Sequence, residues 1–493
     1  MPYRAYNAPS GRAWPRIVLL SHCYRPVLVG YEQPAVAAVH SVATGPVITL
    51  PRNAGVPVAV RRSGLLRRGA PLALAYLGMA TVSFNSTRVA GWSVSDLLFL
   101  GSVAAVAARL LSGVSSGVAP SEARRSSPTF LVGSLLLLTS GALSSLWAID
   151  QIGSMMSVLR FGWLTLVWFW LLRTVTPDRA SLVWLIRGYR ATVLISSAIA
   201  MLAFAGLITL AEGPSWENRQ AGFYGHSNQL GALLAVGLPF FLVDIRSPES
   251  PDRSQPVTRR LIAAGLVVVG IGSTGSISAM FGAALGVAVL GLVRLIPNRR
   301  QHGNPLKAIA VIVVVATAGL AFAQSGSPVV ERISRYVSGD TYLRDSVSTR
   351  TELNDYVIDN IGDRMVIGTG LDQLATVRDV ALIDLPDDAP PGGVHNMYLK
   401  LLHEAGLPAL CGLLLLLIAT ANRSWRLILH TRGSGLHPIA VALLASLVAA
   451  NVTAQFQPIA WERFYWLPIA MVSVMWALCR TELRDARSSA GSR

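Results

Sequence analysis

"HNMYLKLLHEAGLPALCGLLLLLIATANRSWR", residues His395 to Arg426, decides the fold. It opens on ionisable side chains, runs on as apolar sequence and closes on Arg423 and Arg426. At 1.5 Å per residue, about 20 apolar residues cross a ~30 Å hydrocarbon core. The stretch therefore reads as a membrane helix over 398–420, with a polar head on one side and cationic anchors on the other.

The same pattern recurs outward from it, at 70–87, 93–112, 128–147, 154–173, 190–210, 226–244, 260–275, 277–296, 306–324, 437–455 and 463–479. The expected fold class is an all-α integral membrane protein of about 12 transmembrane helices, with a long external loop between helices 9 and 10. Residues 1–68 read as a basic, disordered cytoplasmic tail and 69–324 as helices 1–9. Residues 325–397 read as the external loop with an amphipathic helix, 398–480 as helices 10–12, and 481–493 as a second cytoplasmic tail.

With 52% hydrophobic and 14% charged residues, a chain of 493 residues is one membrane body rather than a string of soluble domains. A net charge of +16 suggests nucleic acid until its distribution is read. Arg173, Arg179, Arg187, Arg246, Arg259, Arg260, Arg423 and Arg426 fall in alternate short connections, and the other short connections hold only Arg88, Arg219 and Arg463. The charge thus encodes topology, with both termini cytoplasmic and no nucleic-acid partner. The loop at 324–394 has twelve acidic residues against six arginines, so anion binding there falls to individual arginines. Cys23, Cys411 and Cys479 give neither a disulfide framework nor a zinc spacing.

Ionisable groups near bilayer depth are the candidates for chemistry. In "HNMYLKLLHE", Asn396, Lys400, His403 and Glu404 share one helical face, with His395 at its N-terminal end. A histidine, with an ordinary pKa of about 6.5, serves as a base at neutral pH. The plainer alternative is that His395 caps the helix while Lys400 and Glu404 form a surface pair. In "ENRQAGFYGHSNQL", Arg219 beside glycine-rich backbone suits a phosphate, and interfacial anchoring suits it equally. His226 reads as a cap or packing residue. Arg160 reads as a phosphate ligand, as the partner of Asp150 or as a snorkelling side chain. "STGSISAMFGAALG" reads as a tight turn between two close-packed helices, with no chemistry. Trp461, Phe464, Tyr465 and Trp466 read as an aromatic belt.

Together, the "VHNMYLKLLHEAGLPAL" block, the upstream "NRQAGFYGHSNQLGALL" block and the long loop before helix 10 resemble the O-antigen ligase and polymerase superfamily. The most specific piece is His-Asn-x-x-Leu-x-x-x-x-Glu-x-Gly, here His395, Asn396, Leu399, Glu404 and Gly406. "TRTELNDYVIDNIGDRMVIGTGLDQL" is similar to the family's loop segment through Arg350, Gly368 and Gly370. An arginine frequent beside the family's small-residue turn has no counterpart in "STGSISA".

The resemblance implies a metal-independent, inverting glycosyltransferase of the bacterial plasma (inner) membrane, without cofactor, working on the external face in cell-surface polysaccharide biosynthesis. It would move a glycan from a polyprenyl-diphosphate donor to a glycan, lipid or protein acceptor, among membrane lipids. His395 would be the general base, and Arg219 and Arg350 would hold the donor diphosphate. Arg160, His226, Asn396, Glu404 and Arg463 would be supporting residues. The competing class is a transporter or flippase of lipid-linked saccharides, which needs rim arginines but no base.

Overall fold

The computed structural model describes residues 69–84, 88–89, 92–113, 128–208, 219–246, 256–295, 362–373 and 394–491, with a few single positions between 334 and 359. The N-terminal tail, the ninth expected span at 306–324, Arg350 and most of the loop at 325–397 lie outside them.

Eleven helical segments stand among the described residues. They are α1 (Ala70–Ala80), α2 (Val94–Leu111), α3 (Pro128–Ser145), α4 (Gln151–Thr174), α5 (Arg179–Phe204), α6 (Ser227–Leu242), α7 (Val257–Ser273), α8 (Ile277–Leu295), α9 (Met397–His430), α10 (His437–Ala454) and α11 (Arg463–Gly491). Between α1 and α2, β1 (Arg88–Val89) pairs antiparallel with β2 (Trp92–Ser93). Six helices, α2 to α5, α9 and α10, are long and apolar enough to cross a membrane by length and composition, while α1, α6 and most of α8 are apolar and shorter. The chain is a multi-pass helical membrane protein.

The distribution of side chains explains why these helices belong in lipid. Ile152, Met156 and Leu159 of α4, Leu143 of α3 and Ile418 of α9 are exposed. Ser134, Ser144, Thr165, Ser197, Ser446 and Thr453 are buried. Helices in water show the reverse; where the solvent is itself apolar, small and hydroxylated residues mediate the contacts. Two hydroxyls bond across helices, Ser102 donating to the Pro71 carbonyl at 2.7 Å and Ser446 to that of Val236 at 2.7 Å, while those of Ser144, Thr165, Ser197 and Thr453 donate to carbonyls of their own helix. The interhelical bonds contribute roughly 0.6–1.7 kcal/mol each.

Small residues set which helices touch. Gly282 and Gly286 of α8 lie on α10, where a Cβ would come within 2.5 Å of Thr453 Oγ1 and 3.0 Å of the Ala445 carbonyl. The glycine-rich stretch therefore joins α8 to α10, rather than to α7 as its reading as a turn between close-packed neighbours suggested. Gly133 of α3 and Gly412 of α9 face each other's carbonyls in the same way.

Two expectations are corrected. Phe464, Tyr465 and Trp466 are fully buried, with Trp466 Nε1 donating to the Ala460 carbonyl at 2.7 Å and the Phe161 ring tilted against Trp461 at 4.1 Å. They are core, because α11 is surrounded by α4, α9 and α10. The segment over 398–420 is not one straight span either. Gly406 has φ 80° and ψ 174°, a left-handed geometry that breaks α9 into a short head, Met397–Ala405, and a long apolar arm.

Candidate functional site

Arg219 precedes a short 3-10 turn, Gly222–Tyr224, and its backbone neighbourhood is tied to the end of α7 by the Gln220 N–H donating to the Ser273 carbonyl at 3.1 Å. Its Nε donates to the Thr274 carbonyl at 3.0 Å and its Nη2 to Asn228 Oδ1. Gly275, at φ 62°, makes room, since a Cβ there would lie 3.0 Å from Arg219 Nε. The "STGSISA" turn, read without chemistry and without an arginine of its own, is thus the platform for Arg219. His226 behaves as one of its expected readings: it is the N-cap of α6, its Nδ1 accepting from the Asn228 N–H at 3.2 Å.

At the head of α9 the cap is Asn396, not His395. Asn396 Oδ1 accepts from the N–H groups of Tyr398 at 3.0 Å and Leu399 at 3.1 Å. Two orphan donors of the first turn are satisfied there, so His395 stands one residue outside the helix, half-buried, after the fully buried Val394. Asn396 Nδ2 donates at 3.5 Å to Gln455 Oε1, just past α10. Tyr398 adds a second tie to α10 through its hydroxyl, 2.6 Å from Asn451 Oδ1.

Gln457 joins these two halves. Its Nε2 donates to Ser276 Oγ at 3.3 Å and to Ser278 Oγ, at the start of α8, while Gln455 two residues earlier holds Asn396. The Thr274–Ser278 turn carrying Arg219 and the helix head preceded by His395 thus belong to one hydrogen-bonded rim. No periodic signal in "TAQFQP" marks Gln455 or Gln457 from the sequence.

The same rim carries buried charge. Arg463 pairs with Asp96, whose Oδ2 also accepts from Ser93 Oγ at 2.9 Å in the capping box of α2. Next to it, Glu462 accepts from the Tyr224 hydroxyl at 2.7 Å. Burial, then the Glu462 carboxylate, pushes the Tyr224 phenol well above its ordinary value of 10.0, so it stays a donor. Arg160 donates to the Trp461 carbonyl at 3.4 Å, with its guanidinium 5.9 Å from that indole. It does not meet Asp150, which instead caps α4 by accepting from Gly153 N–H at 2.9 Å.

Glu404 is in the rim for a different reason. It is buried, 3.6 Å from Lys400, which also reaches Asp372 at 3.0 Å. The pair read as a surface contact is closed over by Met365–Gln373. That strap hydrogen-bonds along the broken turn of α9: Thr369 N–H to the His403 carbonyl at 3.1 Å, Gly370 N–H to that of Glu404 at 2.9 Å, and Leu407 N–H back to Met365 at 2.7 Å. Ser140 of α3 donates to the freed Ala405 carbonyl at 2.6 Å. Every carbonyl the break exposes from His403 to Ala405 thus has a donor, as a buried helix break requires. At its far end the strap meets α4, where Gln373 Oε1 accepts from the Asp150 N–H at 2.7 Å. His403 is buried against Thr369, 3.3 Å away, and supports the strap rather than facing solvent.

Arg219, His226, Asn396, Glu404 and Arg463 are therefore placed at or beside helix ends of one rim, Arg160 reaches it from within α4 through the Trp461 carbonyl, and Arg350 lies outside the described residues. Comparison with curated proteins gives no match. Residues 262–414, which include the turn that holds Arg219, the strap and the head of α9, match the family model described as O-antigen ligase, so that over this part the chain is similar to that family.

Proposed function

We propose that this membrane enzyme of polysaccharide biosynthesis transfers a glycan from a polyprenyl-diphosphate donor to an acceptor hydroxyl at the external face of the bacterial plasma membrane. The observation that carries this reading is the shared rim: Arg219 on its turn and His395 beside the Asn396 cap are linked through Gln457 and Gln455.

The chemistry follows from what such a donor needs. Its tail needs hydrocarbon, its phosphates need cations at headgroup depth, and the incoming hydroxyl needs a base. A guanidinium carries five N–H donors, so Arg219 can serve both its platform and an anion. As the glycosidic bond to phosphate breaks, negative charge grows on the leaving diphosphate, and a fixed cation stabilises that state more than the ground state. Arg350, on the chain before the strap, is the proposed second cation. His395 takes the proton of the acceptor hydroxyl as its oxygen attacks the anomeric carbon from the side opposite the diphosphate, which inverts that carbon. Arginine supplies the charge stabilisation, so the proposed reaction is independent of metal.

The external assignment rests on charge. Arg173, Arg187, Arg190, Arg260 and Arg423 sit towards the helix ends opposite the rim, and the side richer in arginine is cytoplasmic.

The test is transfer in vitro with purified protein, a lipid-linked glycan and an acceptor. His395→Ala should lose transfer while still binding donor. Arg219→Lys, keeping charge but losing the fork, should weaken donor use by roughly tenfold to a hundredfold. Undiminished transfer by His395→Ala would sink the mechanism, and donor crossing the bilayer without transfer would identify a flippase instead.

A further inference from the structure

The strap that closes over the break in α9 has two unlike ends. Residues 368–371 are buried, with Leu371 seated against Gly141 of α3. Met365, Val366 and Ile367 are 40%, 65% and 47% exposed, so three consecutive large apolar side chains stand outside the protein. Their backbone is turned the other way. The Val366 carbonyl lies against Gly406, where a Cβ would come within 2.3 Å of it, and the Met365 carbonyl accepts from the Leu407 N–H at 2.7 Å.

The wall next to this edge faces lipid. Leu407, Cys411, Leu414 and Ile418 of α9 are all exposed, and their spacing puts them in one stripe along the apolar arm. The stripe begins at Leu407, the residue bonded to Met365, so the strap edge continues it.

Depth follows from the length of the arm. Between Glu404 and Arg423, α9 carries no charged residue. From Leu407 to Arg423 the helix rises about 24 Å at 1.5 Å per residue, less than the ~30 Å hydrocarbon core. The strap edge bonded to Leu407 therefore does not clear the hydrocarbon. Irregular backbone is tolerated at that depth where protein satisfies its polar groups. Here the N–H groups of Ile367 and Gly368 both donate to the Arg364 carbonyl, at 3.2 and 2.7 Å. Arg364 itself is exposed beside the apolar trio, and its long side chain suits the passage from acyl chains to headgroups.

We propose that Met365, Val366 and Ile367 are embedded among the acyl chains of the leaflet on the rim side, and that this contact holds the strap over Lys400 and Glu404. In water an exposed apolar trio opposes the seating of the strap, and in lipid it favours it. The occupant is ordinary membrane lipid, because the trio continues a stripe that already faces the bilayer. This inference does not depend on the catalytic reading.

The test uses the full chain in phosphatidylcholine vesicles free of polyprenyl lipid, each variant keeping one cysteine. A nitroxide is attached at Val366→Cys, at native Cys411 or at Asp372→Cys. Its collisions with oxygen, which partitions into lipid, and with a water-soluble nickel chelate are read by electron paramagnetic resonance. The label at Val366→Cys should favour oxygen, as at Cys411, while the label at Asp372→Cys should favour the chelate. Preference for the chelate at Val366→Cys, or protection from both reagents, overturns the proposal; protection that fades as the protein is diluted into lipid assigns the edge to a second copy instead. If Val366→Cys does not fold, Ile367→Cys is read in the same way. Hydrogen exchange in the same vesicles then reads the strap. Val366→Asp should speed exchange of the Thr369 and Gly370 amides by on the order of tenfold, and Val366→Leu should match wild type. Unchanged exchange in Val366→Asp overturns the hold of lipid on the strap.

Discussion

Gly368 lies so close to the carbonyl of Glu404 that a Cβ on it would come within 2.4 Å of that oxygen. The strap and the broken turn of α9 are thereby seated backbone on backbone, with Gly370 N–H donating to the same carbonyl at 2.9 Å.

Gly368→Ala should unseat the strap. Gly368 has φ 79°, and its neighbour is backbone that cannot swing aside, so both strain and overlap oppose a methyl group. A loss of roughly 2–4 kcal/mol in stability is expected, read as a lowered Tm in detergent. Wild-type stability in the variant would show that the strap contributes nothing to the fold.

His395 and Asn396 are neighbours with separable tasks. His395→Ala should lower kcat by about a hundredfold to ten-thousandfold with little change in Tm. Asn396→Ala should cost about 1 kcal/mol of stability through the lost cap, and lower activity only as far as it displaces His395. Reversed outcomes, with Asn396→Ala inactive and His395→Ala active, would move the catalytic role.

Arg463 and Asp96 are a buried pair, so removing one partner strands the other. Arg463→Ala should destabilise by roughly 3–5 kcal/mol, and the double variant with Asp96→Ala should recover part of that loss. Unfolding of both variants side by side measures it; no recovery in the double variant would rule out a stranded charge as the cause.

Tyr224 gives the fold an alkaline limit. Its folded phenol titrates above the unfolded value of 10.0, so its stabilising effect is complete below that pH and is lost as pH rises towards the folded value. Wild type should therefore lose stability above about pH 10 relative to Tyr224→Phe, and the two should run parallel from pH 7 to 9. Curves parallel throughout would remove Tyr224 from the titration.

The proposed topology puts Asp372 and Arg426 on opposite sides of the membrane. In a cysteine-free background, Asp372→Cys in whole cells should react with an impermeant thiol reagent, and Arg426→Cys only after permeabilisation. The opposite pattern would place the rim in the cytoplasm.

Much of the fold and part of the site were legible in the sequence. Length and apolarity are local quantities, so the runs at 128–147 and 437–455 reappear as α3 (Pro128–Ser145) and α10 (His437–Ala454), while the run at 190–210 reappears as α5, which begins earlier, at Arg179, and ends at Phe204. His226 as a cap followed from its place before a helix. The candidate residues could be named because ionisable groups in an apolar chain stand out.

Their partners were not legible. Arg160 chose the Trp461 carbonyl, 301 residues away, over Asp150 only ten positions before it, because Asp150 faces its own helix end. Phe464, Tyr465 and Trp466 have the composition of an interfacial belt, and only the helices around α11 make them core. The sequence by itself determined that this chain crosses a membrane repeatedly, which ends carry arginine, and where ionisable residues cluster. The tertiary structure alone decided that the turn at Gly275 holds Arg219 and that a strap closes over the break at Gly406. Both depend on the fit of one backbone against distant chain, which no local periodicity encodes.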